Sequence, residues 1–155
     1  MATIEVNISV SKSDAYSELE KLTGYIAAKK DDEGTDFEHT AINEHEHEMI
    51  DTYWRMACSD LNDAVSRYLS AYGTTTDVYS VTLKMPSNWN SLMDSTLNKM
   101  ALDFAVNYMA SLWLRVAREQ GSAPVDEKKY AEDAASYLGS LRRNLFERVR
   151  PVKQS

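Results

Sequence analysis

The sequence predicts a mainly α protein of the α+β kind, a bundle of about four helices carrying two short β-strands. Two observations point there. Four long stretches repeat their apolar residues at steps of three and four, the mark of a helix with one buried face. Two short stretches instead alternate apolar and polar residues, as a half-buried strand does. The chain has 155 residues, a length suited to a single domain, 1–155, with one core.

The elements follow in order. Residues 3–10 read as a strand, with Ile4, Val6, Ile8 and Val10 on one face and Glu5, Asn7 and Ser9 on the other. Ser11 followed by Asp14 resembles a capping box, and it opens a helix predicted over about 13–30. That helix points Ala15, Leu19, Leu22 and Ile26 inward, and Gly24 weakens it. The run 31–41, DDEGTDFEHTA, is an acidic loop. Asn43 with Glu46 makes an N-cap pair for a long second helix predicted over about 43–72. Its face is Ile50, Tyr53, Trp54, Ala57, Leu61, Ala64, Val65, Tyr68 and Tyr72, and Gly73 stops it.

A second strand is predicted over 77–85, with Tyr79, Val81, Leu83 and Met85 on one face. Pro86 ends it and leads into a third helix predicted over about 87–119. The apolar stripe of this helix is the widest, running from Trp89 through Leu97, Phe104 and Tyr108 to Val116, and it marks the centre of the core. Gly121 and Pro124 punctuate a loop. Asp126 caps a last helix over about 126–150, facing inward with Tyr130, Ala134, Leu138, Leu141, Leu145 and Val149. Pro151 ends it. Two strands alone are marginal in water. They either pair with each other against the helices or each completes the sheet of a neighbouring chain. The strand residues Ile4, Val6, Ile8, Val81 and Leu83 are therefore candidates for a protein interface.

Composition bounds the function. Hydrophobic residues make up 43% and charged residues 26%, an ordinary globular balance. The single cysteine, Cys58, excludes an intramolecular disulfide and reads as a small core residue. No apolar run reaches the ~20 residues that span a bilayer, and MATIEVNISV lacks the basic start and apolar middle of a signal peptide. A soluble protein made in the cytoplasm is the expectation. The net charge of −7 argues against generic nucleic-acid binding. It is unevenly spread: residues 1–80 hold 6 Lys/Arg and 16 Asp/Glu, net −10, and residues 81–155 hold 11 and 8, net +3. An acidic half and a mildly basic half suit head-to-tail contact between copies of one chain.

The stretch Glu44-His45-Glu46-His47-Glu48, with His39, contains every histidine of the chain. It invites a metal reading through Glu44, His47 and Glu48, and the chemistry argues against it. His45 is followed four residues on by Met49, so HExxH is absent. His45 and His47 are about 200° apart on a helix and cannot share an ion. Glu44 and His47 form one E-x-x-H, the spacing of carboxylate-bridged di-iron bundles, but such sites need a second. The third helix offers only Asp94 and Asp103, the last only Glu132 and Asp133, and no further histidine exists. The three glutamates instead suit the first turns of a helix, where the dipole favours negative charge. No G-x-S-x-G elbow, phosphate loop or dinucleotide fingerprint is present. With five scattered glycines, no cofactor and no enzymatic activity are expected.

The C-terminus, GSLRRNLFERVRPVKQS, sets Arg142, Arg143, Arg148, Arg150 and Lys153 against Glu147 alone. Cations suit a helix C-terminus. They also make a candidate docking surface for an acidic partner, such as the 31–48 segment of another copy.

The long helix IDTYWRMACSDLNDAVSRYL, the strand DVYSVTLKMP and the helix SNWNSLMDSTLNKMALDFAVNYMASLWL, entered through Pro86, resemble a passage of the head–tail connector (adaptor, or neck) proteins of tailed bacteriophages. The resemblance covers about residues 45–118, roughly half the chain. It implies a structural subunit of the virion, made in the host cytoplasm, that forms a ring, typically of twelve copies. The ring would join portal and tail proteins, and DNA would pass through its centre without sequence-specific binding. The strand over 3–10 and the helix over 126–150 extend beyond the family's passage. Two other classes stand beside this reading: a metal-binding helical-bundle enzyme using Glu44, His47 and Glu48, and a small regulatory protein-binding module.

Overall fold

The computed structural model describes residues 3–32, 47–75, 77–87, 89, 91–119 and 127–147. Seven regular elements follow in order: β1 (Thr3–Ser11), α1 (Lys12–Asp32), α2 (His47–Val65), β2 (Leu69–Tyr72), β3 (Val78–Pro86), α3 (Asp94–Glu119) and α4 (Glu127–Glu147), with a 3-10 turn at Ser91–Met93 before α3. The chain is mainly helical with a small antiparallel sheet, as the periodicity predicts.

The sheet has the order β1-β3-β2. β1 and β3 pair along their full lengths, from Thr3 opposite Pro86 to Ser11 opposite Val78. The two strands read from alternation therefore pair with each other. Their inner faces, Val6, Ile8 and Val10 with Tyr79, Val81, Leu83 and Met85, are all buried. Each such aliphatic side chain contributes about 1.5–3 kcal/mol on leaving water. The outer face stays polar, with Glu5, Asn7, Ser9 and Lys84 exposed and Thr82 donating its hydroxyl to Asn7 Oδ1 at 2.9 Å.

β2 corrects the helix predicted over 43–72. The helix ends at Val65, and Leu69–Tyr72 is a strand. Ser66 ends the helix by donating both its N–H and its hydroxyl to Asp63 O, at 3.4 and 2.9 Å. Tyr68 N then donates to Val65 O at 2.9 Å and turns the chain. The β2 ladder is irregular between Leu69 and Ala71, the local kink of a β-bulge. Gly73 sits in the hairpin rather than at a helix end. The threonines after it build the turn: Thr74 Oγ1 accepts from Ser80 N and donates to Ser80 O, and Thr75 Oγ1 accepts from Asp77 N and Val78 N.

The third helix also starts later than predicted. Trp89 N donates to Pro86 O at 2.9 Å, and the buried Trp89 ring donates from Nε1 to Asp94 Oδ1 at 2.9 Å. This local packing precedes the 3-10 turn at Ser91–Met93, and α3 starts only at Asp94. α3 is the central element as expected, touching α1, α2, α4 and β1. Its Leu97, Ala101, Phe104, Ala105, Met109, Ala110, Trp113 and Leu114 join one continuous core with the sheet and with Leu141 and Leu145 of α4. Cys58 is buried in that core. Among the described residues, no helix is long and apolar enough to cross a membrane.

Candidate functional site

A cavity of about 540 Å³ opens between α2, the start of α1 and the β2–β3 hairpin. This volume lies within the range of small-molecule and side-chain binding sites. Residues 51, 55, 58, 59 and 62 of α2 line it at helical spacing, and the hairpin adds Tyr72, Thr74 and Thr75. Lys12 reaches it because Lys12 N donates to Asp77 O at 2.8 Å, fixing the start of α1 beside the hairpin.

Its charged groups hold one another. Lys12 Nζ lies 3.2 Å from Asp51 Oδ1 and 3.5 Å from Asp77 Oδ1, and 5.5 Å from the centre of the Tyr16 ring. The Tyr16 hydroxyl donates to Asp51 Oδ1. Burial, then that hydrogen bond and the Asp51 charge, push the Tyr16 phenol well above its ordinary range, against a lowering by Arg55. Burial pushes the Cys58 thiol up to about 12, so at neutral pH it is a protonated apolar group and not a nucleophile. Tyr79 is likewise raised by burial first, and its hydroxyl donates to Asn62 Oδ1 at 2.9 Å. The arrangement offers hydrogen-bonding groups and two aromatic side chains, Trp54 and Tyr72, to an incoming group. Sequence reasoning missed it because its parts lie up to 63 residues apart, at Lys12 and Thr75. The one local signal is the polar i, i+4 row on α2, Asp51, Arg55 and Ser59, beside the apolar stripe.

The residues singled out from the sequence fall in four places. Arg142 and Arg143 are exposed on α4. Arg142 Nη2 lies 3.3 Å from Asp63 Oδ2 of α2, and Arg143 Nη2 donates to Ser140 Oγ at 3.3 Å. Arg148, Arg150 and Lys153 lie outside the described residues. Glu44 does too, His47 opens α2, and Glu48 is exposed in its first turn. Among the described residues, no group of three or more His, Cys, Asp or Glu could hold a metal ion.

The strand residues are the correction. Val81 and Leu83, candidates for a protein interface by sequence, lie on β3, the central strand with a partner on each side. Val6, Ile8, Val81 and Leu83 are at most 1% exposed and belong to the core, and Ile4 packs half-buried against it. β1 does lie at an edge, but the middle of that edge is already covered. Ser9 N donates to Asn98 Oδ1 of α3 at 2.7 Å, and Asn98 Nδ2 donates to Asn7 O at 3.4 Å. The amide thus takes the place of a neighbouring strand at two outward backbone groups, one way that proteins guard an edge.

Among the described residues, fold and site together define a mainly helical protein with a three-stranded antiparallel sheet and a cavity beside the Val78 end of that sheet. No family model, no curated protein and no solved structure matches the chain.

Proposed function

We propose that this chain is a non-catalytic structural subunit of a bacteriophage head–tail connector ring, joining portal to tail around a central DNA path. The observation that supports the reading is the passage α2–β3–Pro86–α3, in the order carried by connector proteins, with β2 as an added hairpin arm. In this reading the acidic α2 and the basic end of α4 are the charged surfaces that neighbours meet. The Arg142–Asp63 pair shows how close the two charge types lie on one subunit. An excess of negative charge, −7 over the chain, lets DNA pass without sticking, since like charges repel.

The test is the mass of the purified protein across concentrations, alone and with a candidate portal protein. A large closed oligomer in either sample is expected. A monomer in both, at every concentration, would overturn the ring.

A further inference from the structure

The spare hydrogen-bonding capacity of the cavity is on the donor side. Trp54 lines the cavity and is 2% exposed. Among the described residues, nothing accepts from its indole N–H. A buried donor without an acceptor costs stability, so an acceptor belongs in the space beside it. Asn62 gives its Oδ1 to the Tyr79 hydroxyl at 2.9 Å, and its Nδ2 keeps two hydrogens to donate. Thr75 Oγ1 accepts from Asp77 N and Val78 N, which fills both lone pairs and leaves the hydroxyl hydrogen. Arg55 donates from Nη2 to Thr52 Oγ1 at 3.3 Å and pairs with no carboxylate among the described residues. The acceptors are already occupied. Asp51 Oδ1 receives both Lys12 Nζ and the Tyr16 hydroxyl, and Thr74 Oγ1 is held by Ser80. The Ser59 and Tyr72 hydroxyls can serve in either direction.

The charges of the site balance. Lys12 lies between Asp51 and Asp77, at 3.2 and 3.5 Å, and Arg55 offsets the second carboxylate. A balanced site favours a neutral guest over an ion. Two aromatic side chains from different elements, Trp54 of α2 and Tyr72 of β2, border the space, and aromatic rings favour flat partners. We propose that the cavity binds a neutral planar heterocycle whose edge presents carbonyl or ring-nitrogen acceptors to Trp54 Nε1, Asn62 Nδ2 and the Arg55 guanidinium. Purine and pyrimidine rings without ionised groups are of this class. The volume of about 540 Å³ admits one such molecule. The site lies within one subunit, so it does not depend on the ring reading.

Caffeine is the probe, a neutral flat ring system with acceptors and no donor. An NMR titration of nitrogen-labelled protein follows the indole N–H signals of the three tryptophans. The Trp54 signal, assigned by its loss in Trp54→Phe, is expected to move downfield and saturate with a dissociation constant of about 1 mM or tighter. The signal of Trp89, whose N–H already bonds Asp94, is expected to hold still. Ser59 is exposed and lines the cavity, so Ser59→Tyr fills the space from the rim without touching the core. It is expected to weaken caffeine binding at least about tenfold, and it serves as the test where Trp54→Phe fails to fold. Benzene, which lacks acceptors, and benzoate, which is charged, are each expected to bind at least about tenfold more weakly than caffeine. Equal binding of either one overturns the assigned ligand class. Unchanged caffeine binding in Ser59→Tyr overturns the location. No saturable shift of the Trp54 signal overturns the site and leaves the ring standing, whereas a wild type that is monomeric alone and with portal overturns the ring and leaves the site.

Discussion

Asn98 spans two backbone groups of β1 that would otherwise face water or another chain. Asn98→Ala is expected to lower stability by about 1 kcal/mol, the net worth of an ordinary hydrogen bond, read as a shift in the urea midpoint. The freed edge is also expected to raise turbidity at high concentration, since an open strand is a template for pairing. Cys58 gives a prediction in pH. Its folded value of about 12 lies above the ordinary 9.0, so the folded state keeps a proton that the unfolded state releases. The stability from the neutral thiol is complete below pH 9 and falls as pH climbs from about 9 to about 12. Tyr16 and Tyr79, raised in the same direction, add to that loss above pH 10. A melting temperature that falls steadily from pH 9 upward checks the sign. Thiol labelling at pH 8 is expected to be at least ~100-fold slower in the native protein than in denaturant, because only the thiolate reacts.

Each element has its own weak or strong point. α4 carries Gly139 in its interior, exposed, and an added Cβ there meets nothing within 4 Å. Gly139→Ala is expected to stabilise the protein by about 0.5–1 kcal/mol through the lost backbone freedom of glycine, measured as a higher urea midpoint. β3 is the opposite case. Leu83 is fully buried on the central strand, so Leu83→Ala leaves a cavity and is expected to cost about 2–5 kcal/mol. That loss should appear as unfolding of the subunit itself, at any concentration. A residue at a subunit edge would instead weaken only assembly, which is why the central position of β3 changes the role of Val81 and Leu83.

Across the whole molecule, the charge asymmetry of the chain is folded partly against itself. The acidic first 80 residues include Asp63, the basic remainder includes Arg142, and the two lie 3.3 Å apart on the surface. The pair is exposed on both sides, so Arg142→Ala is expected to change stability by less than about 1 kcal/mol. Arg142→Ala with Arg143→Ala should leave the urea midpoint nearly unchanged. The same double variant should weaken the oligomer or its portal complex, most clearly at low salt, where charge attraction reaches furthest. Sedimentation at two salt concentrations reads this, and an unchanged salt dependence would remove the basic surface from the interface. By itself the sequence determined what depends on local period: the mainly helical class, the β1 and β3 faces, the central place of α3 and the buried Cys58. Tertiary structure decided the rest. Leu69–Tyr72 fits a helix row and a strand equally, and only pairing with β3, together with the turn fixed by Ser66, selects the strand. The cavity, the Asn98 cover over β1 and the central place of β3 likewise join residues far apart in the chain. Periodicity encodes which face of an element is apolar. It carries no term for which distant segment that element meets, and the energy of those meetings chose the strand order and built the site.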